Sequence, residues 1–127
     1  MSKRILVIED QEDNRRILRY LLRSAQYEVI EAVTGEEGVD LAERERPDLI
    51  LMDIQLPGLD GYEATRRIKA DPALSAIPII VVTSYALSGD PGKARAAGCD
   101  AYVSKPFSPR QLLAKIREYL APAAPAR

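Results

Sequence analysis

A run of four apolar residues, Leu49–Met52, ends directly on the carboxylate of Asp53. Consecutive apolar residues are typical of a strand that is buried on both faces, as in a parallel sheet covered by helices. Because an uncompensated buried charge is costly, we expect Asp53 at the carboxyl end of this strand, where open α/β sheets bind ligands. The following loop, residues 54–61, contains proline and glycines that predict a turn into the next helix.

Short apolar runs of this kind alternate with amphipathic stretches along the whole chain. The other predicted strands are residues 4–8, 27–32, 77–82 and 101–103, and the predicted helices are residues 11–25, 36–46, 62–70, 91–97 and a last one that starts at Ser108-Pro109. Five strands alternating with five helices predict a doubly wound, five-stranded parallel α/β sheet of the flavodoxin-like type. Right-handed crossovers favour the strand order 2-1-3-4-5.

Two of the predicted helices are amphipathic, with basic residues on the polar side. In the first helix, Ile17, Leu18, Leu21 and Leu22 are expected to face the core, and Arg15, Arg16, Arg19 and Arg23 to be exposed. In the third helix, Ile68 is the apolar position, and Arg66, Arg67 and Lys69 are expected to be exposed.

Length and charge restrict the class of protein. A chain of 127 residues predicts one domain, with a core over about residues 3–120 and a flexible tail at 121–127 that is rich in Ala and Pro. The net charge of −1 gives no indication of nucleic-acid binding, and no apolar run is long enough to span a membrane. The N-terminus enters a strand too early for a signal peptide, so we expect a cytoplasmic location.

The chain has no histidine and a single cysteine, Cys99. This composition excludes Ser-His and Cys-His nucleophile pairs, histidine-containing zinc sites and thiolate clusters. Any chemistry must therefore use carboxylates, hydroxyls, lysine or a hard metal ion.

Polar residues follow four of the predicted strands at the same edge of the sheet. Strands 1 and 3 are neighbours in the predicted order, so Glu9, Asp10 and Asp53 are expected to converge on one crevice. Thr83 and Lys105 leave strands 4 and 5 at this edge. Taken singly, each residue has an ordinary structural explanation, such as acidic residues at a helix N-terminus. Their joint placement favours a functional site.

Three clustered carboxylates repel one another unless a cation joins them. Oxygen ligands with room for water are typical of Mg²⁺. A carboxylate such as Asp53 can attack phosphorus to give an acyl phosphate, a transfer in which a protein mainly supplies position and positive charge. Lys105 would pair with the phosphoryl oxygens, and the Thr83 hydroxyl would donate a hydrogen bond to one of them.

From residue 3 to about residue 120 the sequence resembles the receiver domains of two-component response regulators. The resemblance rests on Glu9-Asp10, the loop at residues 53–61, Thr83 and Lys105-Pro106. It implies a signalling switch that catalyses its own phosphorylation and dephosphorylation. By this resemblance, Asp53 is the phosphoacceptor.

The resemblance also implies roles for the surrounding residues. Mg²⁺ would be bound by Asp10, Asp53 and the backbone carbonyl of Gln55, with Glu9 acting through a water molecule. The Lys105-Pro106 peptide bond would be cis. Thr83 and Tyr102 look like a switch pair, in which the hydroxyl moves onto the phosphoryl group and the aromatic ring turns inward.

Two other classes of protein fit the sequence less well. A flavodoxin-type electron carrier needs a hydroxyl-rich phosphate loop after strand 1, where this chain has acidic residues 9–13. A haloacid-dehalogenase-type phosphatase needs a second aspartate two residues after the nucleophile, where this chain has Gln55. A receiver that binds partners without phosphorylation is a third alternative, which the complete acidic set disfavours.

The resemblance predicts protein partners: a histidine kinase or histidine phosphotransfer protein as donor, and a downstream effector. The arginines Arg15, Arg16, Arg19 and Arg23 are predicted to contribute to donor docking. With no DNA-binding domain in the chain, we expect output through the surface formed by helix 4, strand 5 and helix 5, with residues 86–98 as its mobile element. The sequence is compatible with a stand-alone receiver or with one excised from a larger regulator or hybrid kinase.

Overall fold

The computed structural model describes residues 2–83 and 95–120. Its strands are β1 (Arg4–Ile8), β2 (Glu28–Ala32), β3 (Leu49–Met52), β4 (Ile79–Thr83) and β5 (Ala101–Ser104). Its helices are α1 (Glu12–Ser24), α2 (Gly35–Glu45), α3 (Gly61–Ala70), a helical segment at residues 95–97 (α4), and α5 (Pro109–Leu120).

The five strands form one parallel sheet in the order β2-β1-β3-β4-β5, which confirms the predicted doubly wound topology. In the register of the central strands, Ile8 lies opposite both Ala32 of β2 and Met52 of β3. The residues that follow, Glu9 and Asp53, therefore leave the sheet side by side.

Alternate residues of the strands fill two separate cores, one on each face of the sheet. Leu6 and Ile8 pack on the face covered by α2 and α3, which contribute Ala42, Ala64 and Ile68. Ile5 and Val7 pack on the opposite face, against Leu18 and Leu22 of α1 and Leu112 and Ile116 of α5. Since each fully buried Leu or Ile side chain contributes about 1.5–3 kcal/mol, these two layers fix β1 and β3 firmly.

Side-chain caps start two of the helices that border the site. Thr34 Oγ1 accepts a hydrogen bond from the Glu37 amide at 3.0 Å, at the start of α2. Asp60 Oδ1 accepts one from the Glu63 amide at 2.9 Å, at the start of α3. Each cap satisfies an amide that has no partner within its own helix.

Two predictions about side-chain exposure are wrong. Ile17 was expected in the core, but its side chain lies at the edge of the apolar stripe of α1 and is 56% exposed. Lys69 was expected to be solvated, but its ammonium group donates to the Ser75 and Ile77 carbonyls and to Asp100 Oδ2 at 2.8–3.1 Å. The long lysine stem allows the charge to reach these acceptors from a half-buried position.

Several expectations concern residues outside those described. The tail at residues 121–127 and most of the predicted mobile element at 86–98 belong to them, as does the first part of the helix predicted at 91–97. Within the described ranges, no helix has both the length and the apolar character needed to cross a bilayer.

Candidate functional site

Three carboxylates meet at the carboxyl ends of β1 and β3. The Glu9 amide donates to the Ala32 carbonyl and the Asp53 amide to the Ile8 carbonyl, both at 3.0 Å, so the hydrogen-bond ladders continue into the site. One oxygen from each of Glu9, Asp10 and Asp53 lies within 4.8 Å of the others. Glu9 and Asp53 are buried, and Asp10 is half-buried. The convergence predicted from the strand order is therefore present in the structure.

Lys105 brings a positive charge to this cluster from the end of β5. Its Nζ lies 2.8 Å from Glu9 Oε1 and 3.4 Å from Asp53 Oδ2. The peptide bond between Lys105 and Pro106 is cis, the isomer that the resemblance implies. A half-buried lysine between two buried carboxylates offsets part of their mutual repulsion.

The loop after β3 is folded tightly around Asp53. The Gln55 amide donates to Asp53 Oδ1 at 3.1 Å, and the Gly61 amide donates to the Ile54 carbonyl at 3.0 Å. A side chain at Gly61 would collide with the Asp53 carbonyl oxygen and would lie 2.7 Å from Ile54 Cα. Gly58 has a φ of +72°, a left-handed conformation that glycine adopts without strain. The two glycines thus allow the loop to close behind Asp53.

Sequence reasoning missed a network of two arginines and a glutamate beside the acidic cluster. Arg19 donates to both carboxylate oxygens of Glu31 at 2.6 and 2.9 Å, and Arg15 Nε lies 3.3 Å from Glu31 Oε1. The hydrogen bond from Arg19 is the main reason that the pKa of Glu31 is lowered. Two features of the sequence could have indicated this network. The four-residue spacing puts both arginines on one helix face, and Glu31 is a charged residue within a strand.

The exposure predicted for the four arginines of α1 is therefore only partly right. The Arg15 side chain is 15% exposed and that of Arg19 is involved in the pair with Glu31, so neither is a freely solvated group. Arg16 and Arg23 are exposed, as expected. Next to them on α1, Tyr20 is 79% exposed.

The two predicted switch residues lie on β4 and β5. Thr83 is the last residue of β4 and pairs with Ser104. Its side chain lies outside the described part, so the placement of its hydroxyl stays a prediction. Tyr102 pairs with Val81, and its hydroxyl is buried without a hydrogen-bond partner among the described residues. This burial raises the pKa of Tyr102.

The donor set has the chemistry of a site for a hard divalent cation. Carboxylate oxygens from three residues lie close enough to share one ion, and Asp10 keeps a route to solvent. Such oxygen ligands fit Mg²⁺, which binds few protein groups and retains several waters. Neutralised in this way, and flanked by Lys105, the site can receive an anionic group at Asp53.

Comparison with known proteins agrees with this geometry. Residues 5–117 match the family model described as the response regulator receiver domain. The polar-differentiation response regulator DivK of Brucella anthropi is 45% identical over 123 residues, which cover 97% of this chain and 100% of that protein.

Solved structures show the same relationship. The receiver domain of the sensor histidine kinase PA1611 from Pseudomonas aeruginosa, which has a magnesium ion coordinated in its active-site cleft, superimposes with a TM-score of 0.90. It is 38% identical, and the match covers 96% of this chain and 100% of that one. The chemotaxis protein CheY4 of Vibrio cholerae has a TM-score of 0.86 at 26% identity, with coverage of 94% and 100%. The chain belongs to the family of response regulator receiver domains.

Proposed function

We propose that this receiver domain accepts a phosphoryl group on Asp53 in a Mg²⁺-dependent reaction, and that the acyl phosphate changes the surface that binds an effector. The observation that carries the proposal is the approach of Glu9, Asp10 and Asp53 oxygens to within 4.8 Å, with Lys105 Nζ beside two of them. A buried acidic cluster with an adjacent lysine fits phosphoryl transfer better than a purely structural role.

In this proposal, Mg²⁺ is held by the Asp10 and Asp53 carboxylates and the Gln55 backbone carbonyl, with Glu9 bound through water. When bound, the ion neutralises charge on the carboxylates and on the incoming phosphoryl oxygens. The Glu9 carboxylate already accepts from the Gln11 amide and from Lys105, so it is held in place for a supporting role.

The reaction itself uses Oδ2 of Asp53, the carboxylate oxygen that lies beside Lys105. This oxygen attacks phosphorus while the bond from phosphorus to the donor, a histidine nitrogen or the acyl oxygen of acetyl phosphate, breaks and the donor leaves with the electron pair. The other carboxylate oxygen, Oδ1, is held by the Gln55 amide, which fixes the plane of the carboxylate. Lys105 then pairs with a phosphoryl oxygen, and the Thr83 hydroxyl donates a hydrogen bond to another.

Intact-mass measurement after incubation with acetyl phosphate and Mg²⁺ tests this proposal. We expect a mass increase of one phosphoryl group on the wild type, none on Asp53→Asn, and none on the wild type in excess EDTA. Asp13→Asn is the matched control, because Asp13 lies in the first turn of α1 and its side chain is 89% exposed. Phosphorylation of Asp53→Asn to the wild-type extent would contradict the proposal.

The proposed readout is the switch pair Thr83 and Tyr102, acting on the surface formed by α4, β5 and α5. A phosphoryl group can bias this surface only through contacts that differ between two states. Among the described residues the buried Tyr102 hydroxyl has no hydrogen-bond partner, so no bond to them holds the ring in one position, which supports its role as a moving part. We expect residues 86–98 to exchange amide hydrogens faster than β3, and a beryllofluoride mimic with Mg²⁺ to protect them.

The proposed donor is a histidine kinase or a histidine phosphotransfer protein that docks on α1. Beside the acidic cluster, a groove of about 370 Å³ is lined by Ile17 and Leu18 of α1 and by Pro106, Phe107 and Pro109. The exposure of Ile17 and the exposed cations Arg16 and Arg23 on the same helix fit a partner surface with an apolar centre and an acidic rim. A cytoplasmic location, where such donors act, also remains part of this proposal.

Charge reversal on α1 tests the docking surface. Arg16→Glu with Arg23→Glu should slow transfer from a phosphohistidine donor protein, since repulsion lowers the rate of encounter, and leave phosphorylation by acetyl phosphate unchanged. Arg44→Glu on α2 is the control, as this side chain is similarly exposed at 62%. Equal slowing with both donors would indicate damage to the site and contradict a docking role.

A further inference from the structure

Arg15 joins the carboxyl end of β1 to the edge strand β2. Its Nη1 donates to the backbone carbonyls of Glu9 and Asp10, at 3.0 and 3.1 Å, while its Nε faces Glu31 at 3.3 Å. The guanidinium therefore contacts the backbone of both acidic residues of this turn, and it does not pair with their carboxylates in the described contacts.

We propose that Arg15 is a positioning residue for Mg²⁺: it fixes the turn that carries Glu9 and Asp10, so that the Asp10 carboxylate is held where the ion binds. The inference rests on the proposed function and adds a residue to it. A planar guanidinium with several fixed donors is suited to holding two carbonyls at once.

The local structure explains why this turn needs an external donor. Gln11, the residue before α1, makes no side-chain cap. Its backbone amide instead donates a hydrogen bond to Glu9 Oε2 at 3.1 Å. The turn at residues 9–11 is thus fastened on one side by the Glu9 carboxylate and on the other by Arg15. Without Arg15, the Glu9 and Asp10 carbonyls would turn to water and Asp10 would sample more orientations.

Two effects of Arg15 on Mg²⁺ oppose each other. Its charge should repel a nearby cation, whereas its hydrogen bonds should lower the entropy that Asp10 loses on binding. Glu31 offsets only part of this charge, because its one carboxylate lies against both Arg15 and Arg19. The positive charge that is left belongs to both arginines, so repulsion of the ion should fall in a variant of either one, whereas the positioning effect is lost only with Arg15.

Arg19 provides a matched control for the experiment. Both arginines bind Glu31 from the same helix face, but only Arg15 also reaches the Glu9 and Asp10 carbonyls. Arg15→Gln and Arg19→Gln therefore remove the same charge next to the same glutamate. They differ in the contacts to the turn.

Calorimetric titration of the full chain with Mg²⁺ is the test. We expect Arg15→Gln to raise the Mg²⁺ dissociation constant about tenfold, the lower end of the effect of residues that support metal ligands, and Arg19→Gln to change it by less than about twofold. Arg15→Lys should lie between Arg15→Gln and the wild type, because lysine keeps the charge but lacks the planar fork of donors. In metal-free protein, amide exchange at residues 9–12 should be faster in Arg15→Gln than in Arg19→Gln.

Three results would overturn the inference: an unchanged dissociation constant in Arg15→Gln, tighter Mg²⁺ binding by that variant, or equal weakening in Arg15→Gln and Arg19→Gln. If Arg15→Gln fails to fold, the same comparison is made between Arg15→Lys and Arg19→Lys. Absence of Mg²⁺ binding by the wild type would instead overturn the metal site of the proposed function, before any variant is compared.

Discussion

Lys105 Nζ lies closer to Glu9 than to Asp53, at 2.8 Å against 3.4 Å. The lysine follows β5 at one edge of the sheet, whereas Glu9 follows β1. The lysine side chain therefore crosses the crevice in front of β3. Glu9 is only 2% exposed, and its carboxylate is compensated by this ammonium group and by the Gln11 backbone amide. In the metal-free protein, Lys105 is therefore a structural counter-ion for the acidic cluster as well as the proposed partner of a phosphoryl oxygen.

The first prediction follows from this double role. Lys105→Met should lower the free energy of unfolding of the metal-free protein by about 3 kcal/mol, because it leaves buried carboxylates without a cation. Mg²⁺ should stabilise this variant more than it stabilises the wild type, since the ion no longer competes with the ammonium group. Phosphorylation by acetyl phosphate should nevertheless be slower. Urea unfolding with and without Mg²⁺ measures the first two effects.

Lys115→Met is the control for this comparison. Its side chain is 37% exposed and pairs only with Glu118 among the described contacts, at 3.7 Å. We expect a change below about 0.5 kcal/mol and no dependence on Mg²⁺. A Lys105→Met protein that is as stable as the wild type without metal would show that Glu9 and Asp53 do not need the lysine charge.

The second prediction concerns pH and the Glu31 carboxylate. The pKa of Glu31 is lowered in the folded protein, chiefly by the hydrogen bond from Arg19. Its contribution to stability is therefore present above the pKa of the unfolded chain, about 4.3, and is lost as the pH falls through the lower folded value. At pH 7, Glu31→Gln should be less stable than the wild type by about 1 kcal/mol.

Urea unfolding of both proteins between pH 7 and the acid limit of folding measures this difference. It should stay constant down to about pH 5 and then shrink as Glu31 becomes protonated. Glu28→Gln, an exposed change on the same strand, should alter stability by less than about 0.5 kcal/mol. A difference for Glu31→Gln that grows on acidification would contradict the assigned direction.

The contrast between Asp53 and Arg15 shows how far the sequence determines the site. The position of Asp53 follows from two features. The buried apolar run before it is a local sequence pattern, and the strand order follows from general rules of chain topology. The pairing of Arg15 with Glu31 and with two backbone carbonyls depends on how α1 is rotated against β2. Hydrophobic periodicity indicates which side of a helix faces the core, but it does not determine the exact rotation of the helix about its axis, as the exposed Ile17 also shows.

The third prediction concerns the close contact behind Asp53. Gly61→Ala should lower the free energy of unfolding by about 2 kcal/mol, because the added methyl group meets the Asp53 and Ile54 backbone, which cannot move aside easily. It should also slow phosphorylation by displacing Asp53.

Gly58→Ala is the comparison: its new methyl group would face the Glu36 side chain at 3.3 Å, with strain from the φ of +72°. We expect it to cost about 1 kcal/mol and to slow phosphorylation less than Gly61→Ala does, because its new contact is with the end of a flexible side chain. Equal phosphorylation rates in wild type and Gly61→Ala would show that the contact does not position Asp53.

The last prediction concerns the amino ends of the strands, where the ammonium group of Lys69 binds three residues. Its Nζ donates to the Ser75 and Ile77 carbonyls and to Asp100 Oδ2, and that same Asp100 oxygen accepts from the Ile79 amide at 2.8 Å. The cluster thus fastens α3 to the chain segments that enter β4 and β5.

Lys69→Met should lower the free energy of unfolding by about 2 kcal/mol, because it leaves Asp100 and two carbonyls without their shared donor. Arg67→Met is the matched control on the same helix: its side chain is 56% exposed and pairs with Glu63 at 3.7 Å, so we expect a change below about 0.5 kcal/mol. Since the cluster lies at the amino ends of the strands, Mg²⁺-dependent phosphorylation of the folded Lys69→Met protein should proceed at the wild-type rate. Urea unfolding and intact-mass kinetics on the same samples separate the two quantities. A slower reaction in fully folded Lys69→Met would show that this cluster is coupled to Asp53.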